Sequence, residues 1–295
     1  NYIADLDPSY SPDGTRIAYL RESGYPTNYS PYSFDVVTMP ASGGELTFVT
    51  QDGASESSPD WGTSPDVPSS PPEPVDTTAP TAAVGPLSAF SLGSTRQVTW
   101  QASDGGGSGL ASFQVRHRRA SWEGGFGAWT YPDSWQSVEA DARSVSRATA
   151  VGRTDCFSVR AVDGAGNTGR WSDQRCGARP VDDRSLRASE KWSALAGQRY
   201  YGQTVRRTQA RGATLVLSVR EARQVALVAT TCPTCGSVRV TLGGRSLGTV
   251  DLRSSTRKDR QVKVLPAFSS RSGKLVVRVL TSGRPVLVDG VGVLK

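Results

Sequence analysis

Histidine and cysteine are scarce in this sequence, and their counts limit the chemistry that it can perform. The 295 residues contain one histidine and four cysteines, so any site that needs two histidines is excluded. The histidine, His117, lies two positions after Val115 in an alternating run, and a period of two points both side chains into the core of a sheet. No Gly-x-Ser-x-Gly nucleophile motif occurs. We therefore expect His117 to be structural, and we expect neither catalysis nor a cofactor.

The four cysteines fall into two pairs. Cys156 and Cys176 flank a predicted hairpin, whose strands bring their ends close enough for a disulfide. Cys232 and Cys235 form a Cys-Pro-Thr-Cys motif that fits a disulfide loop, a redox pair or half of a zinc site. The motif lies between two strand-like runs rather than at a helix N-terminus, and further zinc ligands are lacking, so a disulfide is favoured. Two disulfides indicate an oxidising compartment, which predicts a secreted or cell-surface protein.

Carboxylate and amide side chains occur near several turns. Asp163 and Asn167 border a Gly-rich turn and carry oxygens of the kind that calcium prefers. We favour the alternative that they hydrogen-bond the backbone of their own turn, so no metal site is predicted. Asp251 and Asp289 lie in apolar strands near turns and are interpreted as local turn acceptors rather than catalysts.

Four aromatic residues are concentrated in one short stretch, namely Trp122, Trp129, Tyr131 and Trp135. An exposed group of such rings is a platform on which sugars stack. A covered group fills the edge or the core of a sandwich, and this second interpretation is favoured.

The composition predicts that these residues are held by short strands. Gly and Pro together make up 49 of the 295 residues, which suits strands joined by tight turns. No apolar run reaches the roughly 18 residues that a membrane helix needs, so no membrane span is expected. We therefore predict an all-β protein.

Charge and proline content divide the chain. The net charge is −8 over residues 1–66, +1 over residues 67–187 and +14 over residues 188–295. Residues 64–86 contain seven prolines and are expected to form an extended spacer. A polar stretch at 179–187 marks a second boundary. The predicted parts are a first domain at 1–66, a Pro-rich linker at 67–76, a second domain at 77–187 and a third at 188–295.

The first segment contains a turn sequence that partly recurs. Ser11-Pro12-Asp13-Gly14 precedes a short apolar strand, and Pro59-Asp60-Trp61 begins the pattern again. The predicted strands are 17–20, 34–39 and 46–50. Residues 5–66 resemble the TolB-type, WD40-like propeller repeat, and this resemblance implies one terminal blade. Because a blade cannot bury its faces alone, further blades are expected N-terminal to Asn1.

The middle segment shows short alternating runs between turns. Its characteristic strings are DTTAPT at 76–81, SGLAS at 108–112 and CFSVRAVDGAGNTGRWS at 156–172. These resemble bacterial fibronectin-III or immunoglobulin-like repeats. The resemblance implies a β-sandwich that acts as a spacer or an adhesion module.

The last segment consists of strand-like runs rich in β-branched residues. They are 213–219, 225–230, 237–242, 247–252, 261–265, 274–280 and 286–294. Together with an opening Trp192…Tyr200-Tyr201-Gly202 and a closing Val288-Asp289-Gly290-Val291, they resemble galactose-binding-like jelly-roll modules. Relatives of this fold bind sugars at loops or on one concave sheet.

This resemblance points to four candidate ligand-binding residues, Trp192, Arg199, Tyr200 and Tyr201. Aromatic rings pack against the apolar face of a sugar, and an arginine fixes its hydroxyls. The alternative is that the three rings fill the edge of the sandwich.

The charge of the last segment predicts its partner. A net +14 should attract polyanions, and the densest clusters are Arg206-Arg207 and Arg257–Arg260. Extracellular glycan or an acidic cell-wall polymer is the expected partner. Nucleic acid is disfavoured, because neither cluster has interleaved aromatics or a recognition helix.

We therefore predict a non-catalytic C-terminal region of a secreted or cell-surface bacterial protein that binds or positions such material. The alternative is an accessory tail of a propeller-bearing hydrolase, a peptidase or glycosidase whose catalytic part lies upstream.

Overall fold

The computed structural model describes residues 4–23, 33–62 and 75–295, which are organised in two compact units, Asn1–Pro74 and Val75–Lys295. The described residues form 22 strands and three short 3-10 helices, and they contain no α-helix. This confirms the prediction of an all-β protein. No helix in that part of the chain combines the length and the apolar character needed to span a membrane.

The first unit contains one antiparallel sheet. Its strands, in both chain and sheet order, are β1 (Asp5–Tyr10), β2 (Arg16–Ser23), β3 (Ser33–Pro40) and β4 (Thr47–Phe48). The predicted Ser-Pro-Asp-Gly turn joins β1 to β2. Gly14 has a φ of +67°, in the left-handed region that favours glycine, and the Asp13 carboxylate accepts the Thr15 N–H at 3.0 Å. The turn chemistry therefore fixes this hairpin.

The second copy of the motif, Pro59-Asp60-Trp61, contacts the first strand of the sheet. The indole Nε1 of Trp61 donates to the carbonyl oxygen of Ser9 in β1 at 2.8 Å. A four-stranded sheet is the size of one propeller blade. The propeller assignment stays a prediction, and so does the linker at 67–76, which lies outside the described residues apart from Val75 and Asp76.

The middle sandwich has two antiparallel sheets. Its strands are β5 (Thr81–Val84), β6 (Thr95–Ser103), β7 (Leu110–Ser121), β8 (Val138–Glu139), β9 (Ser144–Ala148), β10 (Arg153–Asp163) and β11 (Arg175–Arg179). The sheet orders are β5-β6-β9 and β11-β10-β7-β8. Strand β6 shows why the sheets pack, since Val98 and Trp100 are buried at alternate positions and meet Phe113 of β7 in the core.

The last sandwich is larger. Its strands are β12 (Val181–Asp182), β13 (Arg187–Ala188), β14 (Ser193–Ala196), β15 (Thr204–Thr208), β16 (Thr214–Ala222), β17 (Gln224–Thr231), β18 (Ser237–Leu242), β19 (Arg245–Asp251), β20 (Lys258–Val264), β21 (Arg271–Val279) and β22 (Val286–Leu294). One sheet has the order β14-β15-β22-β17-β20, with β12 also paired to β22, and the other has the order β13-β16-β21-β18-β19. Valine and leucine side chains from both sheets fill the core between them. The seven runs expected from the sequence correspond to β16–β22.

The two sandwiches pack against each other. Phe90 of the middle sandwich forms a buried cluster with Ala178 and with Ala226 of β17. The Thr154 hydroxyl donates to the carbonyl oxygen of Val293 at 2.9 Å. Gly292 lies against the Phe90 ring, where a Cβ would overlap it. The chain joins the sheet of the last sandwich at Val181, directly after β11.

Candidate functional site

Both predicted disulfides are present. Cys156 and Cys176 are directly opposite each other on β10 and β11 and are bonded, and Cys232 is bonded to Cys235 in the turn between β17 and β18. No cysteine is free. Since no thiol remains and Cys235 is fully buried, the Cys-Pro-Thr-Cys motif closes a turn and supplies no thiolate for zinc.

The three aromatic candidates for sugar binding are buried. Trp192 and Tyr200 are 8% exposed and Tyr201 is 6% exposed. Trp192 packs in the core, Tyr200 covers Leu287, and the Tyr201 hydroxyl donates to the carbonyl oxygen of Pro180 at 2.9 Å. These rings fill the edge of the sandwich, as the alternative interpretation describes.

Arg199 differs from the three rings, because its side chain is exposed. It is the one member of the predicted set that a ligand reaches without a rearrangement of the fold. A ligand-binding role for the set stays a prediction.

His117 is enclosed by the core of the middle sandwich. It is 6% exposed, its Nδ1 is hydrogen-bonded to the Thr130 hydroxyl, and its ring lies 5.7 Å from that of Trp135 in an edge-on arrangement. Burial lowers the pKa of His117, so the ring is neutral at physiological pH. In the described part of the chain no carboxylate is hydrogen-bonded to the ring; the nearby Asp155 pairs with Arg119 at 2.6 Å instead.

Asp163 and Asn167 form the local turn that the sequence suggests. The Asp163 carboxylate accepts the Asn167 N–H at 2.7 Å and the Asn167 side-chain amide at 2.9 Å. Asp76 and Asp104 bring their carboxylates to the same place, within 4.8 Å of that of Asp163. Backbone N–H groups already occupy both, from Thr78 to Asp76 at 2.8 Å and from Gly109 to Asp104 at 2.8 Å. This cluster therefore has a structural explanation.

Asp251 and Asp289 differ in their environments. Asp251 accepts the Arg253 N–H at 3.0 Å and is the local turn acceptor that the sequence predicts. For Asp289 that prediction is wrong: the residue is fully buried, no hydrogen bond of normal geometry reaches either carboxylate oxygen, and the backbone N–H near it belongs to Tyr201 rather than to a local turn. Burial, with a smaller contribution from the negative charge of Asp183, raises the pKa of Asp289 to about 7.

Each of the two densest basic clusters of the sequence contributes an arginine to an ion pair within the protein. Arg206 lies 3.5 Å from the buried carboxylate of Asp183, and Arg257 pairs with Asp259 at 3.0 Å. The density of basic residues along the sequence therefore does not show which basic side chains are left without an ion-pair partner among the described residues.

The surface of the five-stranded sheet carries a different set of basic residues. Strand β16 alternates, so that Leu215 points to the core while Val216 and Ser218 lie on the surface. Val216 is opposite Val276 of β21, and Ser218 is opposite Lys274. The result is a surface row of short side chains with a lysine at one end.

An open groove of about 890 Å³ runs over this row. Its basic residues come from strands β13 and β21 and from the two loops before β14 and β16; they are Arg187, Lys191, Arg211 and Lys274. Glu123 and Glu190 are its two acidic residues. None of the four basic side chains forms an ion pair with any residue that the structure describes. We call this feature the basic groove.

The same sheet face continues into a pair of arginines. Arg239 of β18 and Arg278 of β21 are directly opposite each other and both are exposed. Like charges at opposite positions destabilise a sheet. The sequence analysis did not identify this face, because its basic residues are dispersed along the chain. The pattern that could have identified it is the alternation of basic residues with buried apolar residues within single strands.

Comparison with known proteins gives no family. No protein-family model matches the chain, and no curated protein matches it. Solved structures with partial similarity include CsCBM6-3 from Clostridium stercorarium in complex with cellobiose, at 15% identity and a TM-score of 0.31 over 39% of this chain and 92% of that one. A second is the CBM36-1 domain of a multidomain xylanase from the hindgut metagenome of Trinervitermes trinervoides, at 9% identity and a TM-score of 0.31 over 40% and 96%.

A third structure matches over almost the whole chain. It is the exo-beta-1,3-galactanase of Phanerochaete chrysosporium with galactose, at 11% identity and a TM-score of 0.32, covering 99% of this chain and 82% of that one. At these values the similarity bears on no residue or activity of the present protein.

Proposed function

We propose that this chain is a non-catalytic binding region of a secreted or cell-surface protein, and that its last sandwich binds an acidic extracellular glycan or cell-wall polymer in the basic groove. The observation that carries the proposal is the set of four basic side chains around one open groove, none of which forms an ion pair with a described residue. Two disulfides support an oxidising location.

Charge and shape favour a polymer as the ligand. A polymer with repeated acidic groups can contact Arg187, Lys191 and Lys274 at once, because these residues line one continuous groove. Binding neutralises charges that otherwise repel each other over a segment of net charge +14. The described residues that line the groove include no aromatic ring on which nucleotide bases could stack, which favours a glycan over single-stranded nucleic acid.

Charge reversal in the groove tests the proposal. The variant carries Arg187→Glu and Lys274→Glu, and we expect its retention in affinity electrophoresis, on gels that contain acidic polysaccharide or teichoic-type polymer, to be weaker than that of the unchanged protein. A control variant with Arg245→Glu and Lys258→Glu makes the same charge change at exposed positions outside the groove and should keep most of the retention. Equal retention of both variants would show that the groove is not the site.

Two further measurements test where the ligand binds and to which chemical class it belongs. Arg199→Ala tests the exposed member of the residue set predicted from sequence; a loss there, without a loss in the groove variant, would move the site to the edge near Tyr200. Preference for single-stranded DNA over every acidic polysaccharide would contradict the glycan proposal.

A further inference from the structure

A row of alternating aromatic and arginine side chains lies on the middle sandwich and shares no residue with the lining of the basic groove. Its members, in spatial order, are Phe126, Arg118, Trp129, Arg116, Trp171 and Arg160. The guanidinium carbon of Arg116 lies 4.4 Å from the centre of the Trp129 ring and 4.2 Å from that of Trp171. Arg118 continues the row over Phe126 at 4.6 Å, and Arg160 contacts Trp171 at 4.6 Å.

Strand periodicity builds this row. Gln114, Arg116 and Arg118 are alternate residues of β7, so they share the face opposite to the core. Arg160 of β10 is directly opposite Gln114. The segment after β7 folds back along it through a bridge between His117 and Thr130, which brings Trp129 over the arginines.

The arginines of the row lack negative partners. The side chain of Arg116 makes no hydrogen bond or ion pair with any residue in the described ranges. Arg118 donates to the Gln174 side-chain oxygen at 2.7 and 3.1 Å, and Arg160 donates to that of Gln114 at 2.6 Å. These acceptors are neutral amides, so none of the three guanidinium groups forms an ion pair with a described residue. An arginine held by aromatic rings has little side-chain freedom left to lose when its N–H edge binds an anion.

Cavities lie at both ends of the row. One, of about 320 Å³, is lined by Gln114, Tyr131, Gln136 and Arg160. The other, of about 570 Å³, lies between the sandwiches and is lined by Arg118, Phe126, Gln174, Glu221, Arg223, Ser270 and Lys295. The row and its two end cavities form an elongated path, which we call the arginine–aromatic track.

We propose that the arginine–aromatic track is a second binding site, and that it binds a carboxylate-bearing polysaccharide in an extended conformation. A guanidinium edge binds a planar carboxylate through two parallel hydrogen bonds. At the first cavity the Tyr131 ring is 44% exposed and offers a face for a sugar ring, beside the amide of Gln136 for hydroxyl groups. A polyol phosphate has the charge but no ring to stack, so the track favours uronic acids.

The experiment uses the full chain and oligogalacturonate as the probe, with binding measured by isothermal titration calorimetry. We expect Arg116→Gln to weaken binding about tenfold, the loss of one good charge-assisted contact. Tyr131→Ala should weaken it several-fold, and since this ring is exposed the change leaves the core intact. Arg153→Gln, an exposed arginine of the same sandwich outside the track, is the matched control and should bind as the unchanged protein does.

The proposal would be overturned by absence of binding to oligogalacturonate, by unchanged affinity in both Arg116→Gln and Tyr131→Ala, or by tighter binding of poly(glycerol phosphate) than of oligogalacturonate. The groove variant Arg187→Glu with Lys274→Glu separates the two sites: if it leaves oligogalacturonate affinity unchanged, the track binds independently of the proposed function of the groove. If it abolishes that affinity while Arg116→Gln does not, the track is not the site.

Discussion

At the residue scale, the buried carboxyl group of Asp289 makes stability depend on pH. Its pKa is raised to about 7 in the folded protein, from an ordinary value of 3.8. Between these two values the folded state holds a proton that the unfolded state has released. Stability therefore falls as the pH rises through this window, and the loss is complete above the folded pKa.

This leads to a prediction for Asp289→Asn, which keeps the shape of the side chain and removes the titrating group. The unfolding free energy of the unchanged protein should fall by on the order of 4 kcal/mol between about pH 4 and pH 8 through this group. The variant should lack that component and be more stable than the parent at pH 8. Urea unfolding across the pH range measures both; parallel pH profiles for the two proteins would contradict the assignment.

Residue types were easier to interpret than residue environments. The Cys156–Cys176 pair followed from spacing, because antiparallel strands place such positions opposite each other, and the Cys232–Cys235 pair followed from a Cys-Pro-Thr-Cys motif between two strands. The burial of Trp192 and Tyr201 did not follow, since an aromatic near a strand end suits both a core and a binding platform. Asp289 was interpreted as a turn acceptor because it lies in an apolar strand near a turn; only the surrounding sheet shows that the carboxyl group is enclosed.

At the element scale, the opposed arginines of β18 and β21 link stability to binding. Arg239 and Arg278 repel each other across two neighbouring strands. We expect Arg239→Gln to raise the unfolding free energy by about 0.5 kcal/mol, because it removes a like-charge cross-strand pair. The same substitution should weaken retention on acidic polysaccharide gels, since this face extends from the basic groove.

Thermal unfolding and affinity electrophoresis of Arg239→Gln test the two effects together. Arg245→Gln, at the exposed end of the β18–β19 hairpin, is the control and should change neither quantity. A variant that is less stable than the parent would show that Arg239 contributes to the fold through contacts other than this repulsion.

The sequence predicted the positions of the strands well, but it did not predict which strands are neighbours in the sheets. Runs such as 213–219 and 286–294 combine β-branched residues with turn signals, so β16 and β22 were evident. Strand β12, only Val181–Asp182, is too short to show a period and was assigned to a polar boundary. The basic groove depends on which strands are neighbours, and residues as distant as Arg187 and Lys274 meet only through the order β13-β16-β21.

At the scale of the whole molecule, the contact between the two sandwiches depends on close packing at Gly292. A side chain there would overlap the Phe90 ring. We expect Gly292→Val to destabilise the protein by about 1–3 kcal/mol through overpacking and to separate the unfolding of the two sandwiches. Differential scanning calorimetry checks this, and Gly105→Ala, in the β6–β7 loop where a Cβ meets no atom within 4 Å and φ is not positive, is a control for the loss of a glycine. Unchanged unfolding of Gly292→Val would mean that the Phe90 contact contributes little.

The Phe90 contact also has a consequence for ligands of different length. It fixes the distance between the basic groove on one sandwich and the arginine–aromatic track on the other. A chain long enough to reach both would therefore bind its second site at a high effective concentration, with no search by a flexible tether. Avidity should then rise abruptly above a threshold degree of polymerisation, which would let the protein distinguish intact polymer from the fragments that degradation releases.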